Sequence, residues 1–548
     1  MFIKITKSKN YQYVQLVQSY RENGVVKHKV LLNLGRLDEI ENNPSFQRLG
    51  KRLLELSKAR EVTSLDNFSE AQIKNWGYVV YQKLWNQFEL PKLLRNISAK
   101  RKIQFDLSGA SFLMVVQHLL EPRSKLGTYM HQHRYASLPE VGINHLYRSL
   151  DLLCEYKELL EEEMFKKNRH LFNMQVDVVF YDVTTFSFAS VEADSLRDFG
   201  FSKDGKFNEV QVVLGLLIDC EGRPVGYELF PGNTFDGKTL EVALEKLEKR
   251  FGLRRVIIVA DRGINSKLNL KRIVERGYSY IFAARIKNMK KEITDMILDE
   301  NGYQEIKDEE GGVIRYKVIE YINEFTAEGE KYRLPEKLIV TYSSRRAEKD
   351  RADRERLIEK AQTLLERKAQ IRAGNKRGGR KYLKEVNCTG TWILDEEAIN
   401  RDQQFDGYYG IQTSEKEMSA RDILEAYHNL WRIEESFRLM KSTLEVRPVF
   451  HWTERRIKGH FVICFLAFLL ERTLEFKLRQ AGEDASPEKI REALNSLNFA
   501  EVEINGEAFF IKTQSTDLSK KILRLMRIAP PANVTRVEDF ATRWQGQL

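Results

Sequence analysis

The sequence is poor in cysteine and proline and lacks long apolar runs. Its four cysteines, among 548 residues, lie far apart without a Cys-x-x-Cys pair, which argues against a disulfide scaffold and a thiolate zinc ribbon and suits a reducing cytoplasm. Eleven prolines and 31 glycines exclude a collagen-like or low-complexity chain. The longest apolar run, Phe461 to Leu470, is too short to cross a bilayer, and no apolar signal core follows Met1, so we expect a soluble, unexported, cytoplasmic protein.

The composition is that of a large globular protein with one strongly basic segment. Hydrophobic residues make up 42% of the chain, so it can bury a large core, and its length predicts three or more structural units. Lysine and arginine total 89 against 79 acidic residues, a net charge of +10. Much of this excess lies between Arg345 and Lys381, which hold 14 basic and 6 acidic residues. Two interpretations of that segment stay open: a surface that meets a polyanion, and a solvated charged helix.

Hydrophobic patterning divides the chain into regions of different character. Alternating strands around Asn23-Gly24 predict a β-hairpin near the start. A βββαβαβ order follows from residue 176 and is typical of an RNase H-like core. We therefore predict an α/β fold with an RNase H-like core, a β-rich insertion that interrupts it and a mainly helical N-terminal region. The predicted boundaries are 1–43 for the hairpin element, 44–175 for the helical region, 176–289 for the first part of the core, 290–410 for the insertion with its basic helix and loop, 411–485 for the return of the core and 486–548 for the C-terminal region.

Short apolar runs and helical periodicity place the individual elements. Residues 108–120 predict an amphipathic helix, and three successive core strands predict an antiparallel meander. The insertion is expected to have a β-rich structure of its own, and the last long helix is expected to be core. The expected core strands are 176–181, 210–218, 224–230, 255–260 and 278–284, the helices between them are 239–250 and 266–276, the insertion strands are 313–321, 338–342 and 390–394, and the long helices are 419–442 and 453–479.

Two carboxylates follow apolar strands of the predicted core. Asp182 comes directly after the strand that ends at Tyr181, and Asp261 follows the strand that ends at Ala260. Each aspartate alone is more typical of a turn or a helix cap. If the two strands are neighbours in one sheet, both carboxylates project from the same region and can form a site for a hard divalent cation.

The predicted helix at 419–442 carries a third carboxylate. On a helical wheel Glu434 lies about 80° from the centre of the buried stripe and borders the sheet, whereas Glu435 lies about 180° away and is expected to face outward. A surface helix with a salt bridge between Glu434 and Arg438 is the alternative. The buried stripe consists of Leu430, Ile433, Phe437, Met440 and Leu444, and the residues on the side of Glu434 are Tyr427, Trp431, Arg438 and Lys441.

Three boxes of residues stand in order along the chain. They consist of Asp182 with Thr184 and Thr185, of Asp261 with Arg262, and of Tyr427, Glu434 and Lys441. These boxes resemble the motifs of bacterial DDE transposases, which have an RNase H-like catalytic core and a large β-rich insertion before the helix of the glutamate. The sequence looks most like the insertion-sequence group numbered sixteen thirty-four, within the wider family with a Tyr-Arg-Glu-Lys signature. Segments 20–24, 34–37, 232–236 and 406–409 also look like this family, so the resemblance covers most of the chain.

One position departs from that signature. The family places an arginine three residues after the tyrosine, but here the residue is Leu430, on the buried stripe. The nearest arginine is Arg432, and either Arg438 or Arg262 would supply the missing phosphate contact. Glu434 keeps its spacing from the tyrosine and the lysine, so the set of three acids is intact.

The resemblance implies a DNA transposase of an insertion sequence that cleaves the element ends and transfers the freed 3′ ends to target DNA, by a cut-and-paste route. Asp182, Asp261 and Glu434 are expected to be catalytic and to hold two Mg²⁺ ions, with Mn²⁺ as a substitute, for two-metal phosphoryl transfer. The expected partners are double-stranded DNA, as terminal inverted repeats and target, and a second subunit in a homodimer; the helices before residue 176 would recognise the ends. The expected DNA contacts are Tyr427, Arg438, Lys441, Arg262, Thr185, Lys376, Arg377 and Arg380.

Two other functions stay open from the sequence. One is a transposase-derived DNA-binding protein that has lost catalysis, and the other is an RNase H-like nuclease without joining activity. Cleavage of DNA with matching terminal repeats in Mg²⁺ tests the first, and attack of the cleaved 3′ end on a second duplex tests the second. The histidines His118, His131, His133 and His145 show no metal-ligand spacing on one helix, so we assign them no role.

Overall fold

The computed structural model describes residues 2–545 apart from 9–10, 23–24, 42, 59–70, 173–177, 203–204, 207, 252–255, 308–312, 367–377, 387–390, 448 and 505–506. The strands are β1 (Phe2–Ser8), β2 (Tyr11–Glu22), β3 (Val25–Arg36), β4 (Gln72–Asn75), β5 (Val178–Ser187), β6 (Gln211–Asp219), β7 (Pro224–Pro231), β8 (Ile257–Ala260), β9 (Ser279–Ala283), β10 (Gln304–Lys307), β11 (Val313–Ala327), β12 (Glu330–Tyr342), β13 (Leu383–Val386), β14 (Thr391–Leu394), β15 (Tyr408–Thr413), β16 (Asn498–Ile504), β17 (Glu507–Lys512) and β18 (Val534–Arg536).

The α-helices are α1 (Leu37–Glu41), α2 (Pro44–Lys58), α3 (Val79–Gln87), α4 (Leu90–Lys100), α5 (Leu107–Leu120), α6 (Lys125–His131), α7 (Ile143–Glu155), α8 (Lys157–Phe172), α9 (Asp236–Phe251), α10 (Lys267–Glu275), α11 (Lys291–Leu298), α12 (Ser344–Glu366), α13 (Glu396–Gln403), α14 (Ala420–His428), α15 (Trp431–Arg438), α16 (Glu454–Gln480), α17 (Pro487–Asn495), α18 (Asp517–Leu525) and α19 (Val537–Gln545). Short 3₁₀ turns lie at Gln132–Arg134, Ile286–Asn288 and Gly378–Tyr382, and a π-helical turn lies at Leu439–Thr443.

A nine-stranded mixed sheet forms the centre of the molecule. Its strand order is β10-β11-β12-β15-β9-β8-β5-β6-β7. β5, β6 and β7 form the expected antiparallel meander, and β5, β8 and β9 pair in parallel. From β9 outward, β15, β12, β11 and β10 pair antiparallel. The chain order from β5 to β9, with α9 and α10 between the later strands, confirms the predicted βββαβαβ order.

Helices cover both faces of the first half of this sheet. All nine residues of β6 are buried, because neither face of the strand meets solvent. On one face Leu244 of α9 and Ile273 of α10 pack against residues such as Ile258. The other face holds Phe180 and Val259 and is covered by α14, α15 and α16. We call these the α9 face and the α15 face.

The strands of the predicted insertion between residues 304 and 342 do not form a sheet of their own, contrary to the sequence-based expectation. β10, β11 and β12 reach β15, which pairs with β9, so they extend the central sheet. The sequence pattern could not show this join, because the pairing of Ile339 with Ile411 links distant parts of the chain. Within the described residues, β13 and β14 stand apart with α12 and α13 around a small core of Ala361, Tyr382, Leu383 and Ile399.

The first and last parts of the chain share a core. The predicted hairpin is present as β2 and β3, with β1 as a third strand, and its Asn23-Gly24 turn lies outside the described residues. The C-terminal sheet has the order β18-β17-β16-β4, so a strand from the predicted helical region completes it. Leu16 and Leu34 of the first sheet pack against Val502 and Ile511 of the second. The C-terminal region is therefore not independent of the N-terminal strands.

The longest helix runs through the interior. In α16 the residues from Phe461 to Leu470 are at most 3% exposed, which confirms that this helix is core. α5 was expected to be amphipathic, but every residue except Gly109 is buried, because α7 and α16 pack against it. No helix in the described part of the chain is both long and apolar enough to span a membrane.

Candidate active site

Asp182 and Asp261 occupy equivalent positions on neighbouring parallel strands. The last paired residues of β5 and β8 are Phe180 and Val259. Asp182 lies two residues after Phe180, and Asp261 lies two residues after Val259. Because neighbouring strands lie about 4.8 Å apart, this register brings the two aspartates side by side. The adjacency of the two strands, on which the metal-site hypothesis depends, is present.

The sequence pattern suggested that Asp182 ends its strand, but in the structure Asp182 lies within β5. β5 continues alongside β6 to Ser187. On its other side β8 ends at Ala260, and the pairing of β5 with β8 stops at Phe180. Asp182 therefore lies where the pairing of β5 with β8 has ended, beside the loop of Asp261. Its side chain is half-buried. Strand pairing, rather than strand length, makes this position accessible.

Both aspartates belong to the α15 face. Side chains alternate between the two faces along a strand. Phe180 and Phe186 of β5 lie on the α15 face, so Asp182 shares it. In β8 Val259 lies on the same face, and Asp261, one residue beyond the end of β8, is within electrostatic reach of Tyr427 in α14, which packs on this face. The two aspartates therefore lie on the side of the sheet where the helices after β15 pack.

The helix expected at 419–442 is broken into three pieces. α14 ends at His428, α15 begins at Trp431, and a π-helical turn follows Arg438. The break lets α14 pack on β8 and β9 while α15 packs on β5. The chain thus crosses the α15 face above both strands that lead to the aspartates. A regular helical wheel does not describe the segment, because the turn between the helices and the wider π turn change the angle per residue.

Glu434 lies in the first turn of α15 and is exposed. Its neighbours Ile433 and Phe437 are buried and attach the helix to the sheet. Across the residues that the structure describes, Glu434 forms no salt bridge with Arg438, so the surface-pair alternative is not realised. The three acids lie on one side of the sheet, and the Glu434 carboxylate is accessible to a ligand.

The helical wheel predicted that Glu435 faces outward, but in the structure Glu435 faces α16. Its carboxylate lies 3.4 Å from the guanidinium group of Arg472, which is 2% exposed in α16 and also pairs with Glu475. Arg472 donates a further hydrogen bond of 3.2 Å to the hydroxyl of Ser436. The side of α15 that packs against the protein therefore includes two polar residues beyond the apolar stripe, Glu435 and Ser436, which both contact Arg472 of α16. This arrangement makes Glu435 a structural carboxylate.

Tyr427 connects α14 with the extended half of the sheet. Its hydroxyl lies 2.6 Å from the hydroxyl of Tyr409 in β15. Burial and the contact with Tyr409 raise the pKa of Tyr427, and the Asp261 carboxylate raises it further. The guanidinium group of Arg346 in α12 lies 4.3 Å from the centre of the Tyr409 ring. Asp261 therefore stands within electrostatic reach of a tyrosine pair on which a cation stacks.

Three predicted DNA contacts lie where they can serve the same face. The Nζ atom of Lys441 lies 5.6 Å from the centre of the Phe186 ring, on the α15 face of β5. Arg438 is exposed at the end of α15, and Arg262 is exposed directly after Asp261. Lys441 therefore lies on the face of Asp182, and Arg438 and Arg262 follow Glu434 and Asp261 along the sequence.

The structure turns Thr185 away from this region. Thr185 is only 4% exposed and pairs opposite Val213, on the α9 face of β5. Thr184 alternates with it and shares the face of Asp182. Thr185 therefore does not share the face of Asp182, and its contact with DNA stays a prediction. The sequence could not separate the two threonines, because both follow the aspartate closely.

The predicted contacts in the basic loop are only partly described. Lys376 and Arg377 lie outside the described residues. Arg380 is half-buried in the 3₁₀ turn Gly378–Tyr382, next to Lys381, which pairs with Asp402. The described part of this loop is therefore built into the small core beside α12.

A cavity of about 510 Å³ lies beside the loop of Asp261. Its wall includes Arg262, Arg285 just after β9, and Arg346 of α12. Sequence analysis named Arg262 but missed the other two arginines, because the pairing of β9 with β15 and β12 brings them together. Tyr409 also lines the cavity, and the family-like segment 406–409 was the signal that could have pointed to it.

A group of potential metal ligands lies elsewhere, in the helical core. The ligand atoms of His118, His460 and Cys464 lie within 4.8 Å of one another. The Nζ atom of Lys125 lies 3.0 Å from Nε2 of His118, and burial lowers the pKa of His118 to about 3. Because the lysine side chain occupies the space beside this imidazole, we assign no metal to the cluster. The sequence did not reveal it, since only the fold brings His118 of α5 to His460 and Cys464 of α16.

Two family models match the chain. Residues 3–66 match the N-terminal domain of IS1634 family transposases, and residues 175–470, more than half of the chain, match the transposase DDE domain. No curated protein sequence matches. Among solved structures, the cryo-EM structure of a piggyBac transposase synaptic complex with hairpin DNA is similar at 10% identity and a TM-score of 0.36, over 77% of this chain and 80% of that chain. The resemblance seen in the three boxes is thereby confirmed, and the chain belongs to the DDE transposases, within the IS1634 family.

Proposed function

We propose that this transposase cleaves DNA at the ends of its element and transfers the freed 3′ ends to target DNA at a site formed by Asp182, Asp261 and Glu434. The parallel register of β5 and β8 carries the proposal, because it sets two aspartates side by side on the face where α15 lies. The strand order β7-β6-β5-β8-β9, in which only β6 runs against the others, supports an RNase H-like core.

The donor set fits divalent metal ions. Three carboxylates offer oxygen ligands alone, which hard cations such as Mg²⁺ and Mn²⁺ prefer. Asp182, Asp261 and Glu434 would hold two such ions. The chemistry supplied by bound Mg²⁺ would be activation of the attacking hydroxyl and neutralisation of charge on the leaving oxygen during phosphoryl transfer.

Glu434 is proposed to lie above Asp182. Lys441 contacts Phe186, which lies four residues, about 13 Å, beyond Asp182 along β5. Glu434 precedes Lys441 by seven residues, about 10 Å along a helix. Because α15 packs on β5, a helix that follows the direction of the strand brings Glu434 over the part of β5 that carries Asp182.

The cations around the acids are proposed to hold the DNA backbone. Lys441 and Arg438 follow Glu434 along the chain, and Arg262 follows Asp261. Charged donors of this kind bind phosphate oxygens and fix the position of the DNA without reading its bases. The helices before β5 would recognise the terminal repeats, and two element ends would be held by two copies of the chain.

A cleavage assay tests the three acids. The substrate is a duplex that carries the terminal inverted repeat flanking the coding sequence, in buffer with Mg²⁺. Asp182→Asn, Asp261→Asn and Glu434→Gln are each expected to abolish strand cleavage and to retain binding of the same duplex, because the amides preserve shape but remove the charge that a metal needs. Cleavage that persists in any of the three variants would reject this set of acids.

The same reaction separates a transposase from the two alternative functions. A second labelled duplex serves as target, and joined products are expected only when the first duplex is cleaved. Binding without cleavage by the wild-type protein would identify a catalytically silent DNA-binding protein. Cleavage without joined products would identify a nuclease.

A further inference from the structure

The cavity beside the Asp261 loop carries more positive than negative charge. Six cationic side chains and four carboxylates line it. It lies where the loops after β8 and β9 meet α12 and the start of β15, so both halves of the central sheet contribute to its wall. A net positive cavity next to the proposed catalytic acids is suited to a ligand with negative charge.

The four carboxylates of the wall already have partners. The pairs are Asp406 with Arg354, Asp402 with Lys287 and Lys381, Asp353 with Arg356, and Asp350 with the backbone N–H of Gly407. The contacts of Arg354 and Asp350 join α12 to the turn before β15, and those of Asp402 join α13 to the 3₁₀ turns at Ile286–Asn288 and Gly378–Tyr382. The negative charge of the wall is therefore largely used by contacts within the protein, and Asp350 also approaches Arg346.

Three guanidinium groups, those of Arg262, Arg285 and Arg346, lie on the side of the cavity toward Asp261. Within the described residues, neither Arg262 nor Arg285 pairs with a carboxylate, and Arg285 donates one hydrogen bond of 3.3 Å to the backbone oxygen of Arg262. Arg346 has a long contact of 3.6 Å with Asp350. Since each guanidinium group has five N–H donors, most of these donors remain open to a ligand.

The position of Arg346 is fixed by aromatic contacts. Its guanidinium group lies 4.3 Å from the centre of the Tyr409 ring, and the Tyr409 hydroxyl lies 2.6 Å from that of Tyr427. Burial raises the pKa of Tyr409, Asp261 acts in the same direction, and Arg262 and Arg346 oppose it. Arg262, Arg346 and Tyr409 all line the cavity and Asp261 directly precedes Arg262, so the cavity and the proposed catalytic site are neighbours.

We propose that this cavity binds a backbone phosphate of the DNA close to the cleaved bond, and that Arg262, Arg285 and Arg346 donate to its oxygens. The inference rests on the proposed function, since it assigns the cavity to the DNA that the three acids cleave. The planar fork of a guanidinium group matches the paired oxygens of a phosphodiester. A volume of about 510 Å³ accommodates a nucleotide unit. The predicted insertion, through α12, thus gains a specific role in holding the substrate.

DNA binding by the full-length protein tests the cavity. Arg346→Gln and Arg285→Gln are each expected to weaken binding of the terminal-repeat duplex about tenfold to a hundredfold, because a charge-assisted contact is lost. The slope of binding affinity against salt concentration should fall by about one in each variant. Arg346→Lys keeps the charge, so it should keep the slope while it loses part of the affinity.

The matched control is Arg351→Gln. Arg351 lies on the same helix, is exposed and does not line the cavity. Its replacement should leave both affinity and salt slope at the wild-type values. Thermal unfolding of all variants checks that each one folds. An unchanged slope and affinity in both Arg346→Gln and Arg285→Gln would overturn the proposal.

Neutral phosphate analogues locate the contact. Duplexes that carry a methylphosphonate at one position at a time are expected to bind the wild-type protein weakly at one position near the cleaved bond. The same substitution should have little further effect on Arg346→Gln, because the two changes remove one shared interaction. Additive losses at every position would count against the cavity.

The cleavage rate of the unmodified duplex separates this inference from the proposed function. A wild-type protein that binds but does not cleave would contradict the proposed function, whereas the salt slopes would still decide whether the arginines contact phosphate. A wild-type protein that cleaves, together with variants of unchanged slope, would contradict the phosphate site alone.

Discussion

The two halves of the central sheet contribute differently to the proposed site. The half formed by β5 to β9 presents Asp182 and Asp261, and its strands are covered by helices on both faces. The half formed by β10, β11, β12 and β15 presents Tyr409 and supports Arg346 on the exposed helix α12. The aspartates, together with Arg262 and Arg285, therefore stand on the half whose strands are covered by helices, and Arg346 approaches the site from an exposed helix of the other half. This division suits a site in which the reacting groups need fixed geometry and one DNA contact comes from outside the catalytic core.

The sharpest test of the proposed catalytic acids compares two adjacent glutamates, Glu434 and Glu435. Glu434→Gln is expected to lower the cleavage rate about a thousandfold or more, because loss of a metal ligand costs several kcal/mol of transition-state stabilisation. It should leave thermal stability unchanged, since the side chain is exposed. Glu435→Gln should do the reverse: it weakens the pair with buried Arg472 and lowers stability with a smaller effect on cleavage. Equal loss of activity in the two variants would contradict the assignment.

The half of the sheet that contains β15 has an ion pair with α12, between Asp406 and Arg354. Loss of this pair should lower the stability of the protein more than its cleavage rate. Arg354 is 8% exposed in α12 and pairs with Asp406 through both carboxylate oxygens. Arg354→Gln is expected to lower the free energy of unfolding by about 2–3 kcal/mol, because it leaves a half-buried carboxylate without its main partner. Denaturant unfolding measures the loss, and Arg354→Gln with Asp406→Asn should recover part of it. A variant as stable as the wild type would show that α12 is held by other contacts.

A buried glutamate in α16, Glu471, indicates that the free energy of unfolding depends on pH. Burial and the neighbouring Glu475 carboxylate raise the pKa of Glu471 in α16 to about 8. The folded protein then binds more protons than the unfolded chain between pH 4.5 and 8, so the free energy of unfolding falls as the pH rises through this range.

Glu471→Gln removes that titration and keeps an acceptor for the hydroxyl of Tyr81, which donates to Glu471. The variant should unfold at a temperature a few °C higher than the wild type at pH 8 and show no such gain at pH 5. Thermal unfolding at the two pH values provides the measurement. An equal shift at both would mean that the carboxylate is not protonated in the fold.

The smallest expected effect concerns the tyrosine pair that joins the two halves. Tyr427→Phe and Tyr409→Phe each remove one hydroxyl of a 2.6 Å hydrogen bond and should each cost about 1 kcal/mol. Cleavage is expected to fall by up to about tenfold in both. The double variant should be close to either single variant, because the same bond is lost. Strictly additive losses would show that the two hydroxyls act separately.

Much of the core was accessible from the sequence, because apolar runs and helical periodicity are local signals. The βββαβαβ order, the antiparallel meander and the buried helix α16 follow from them. The joining of β12 to β15 does not, since strand pairing between distant segments leaves no local pattern. For the same reason, the sequence could show that Asp182 follows apolar residues but not that β5 continues beyond it.

The predicted site depended on a regular apolar stripe along one helix, and two features of the fold depart from that assumption. The break before Trp431 and the π turn after Arg438 shift the angles that the wheel assumed. Glu435 faces α16 because a buried arginine, which no apolar stripe reveals, attracts it. Arg285 and Arg346 were missed because only the folded sheet brings them near Asp261.

The strand β4 has a consequence for how the protein is made. Its partner in the sheet is β16, and Trp76, just beyond β4, stacks on Phe499 with ring centres 5.6 Å apart. A nascent chain cannot bury this tryptophan until the ribosome has synthesised almost the whole polypeptide. Premature termination anywhere before Phe499 should therefore leave the proposed end-recognition region without its partner strand, so partial products would not compete with finished copies for DNA.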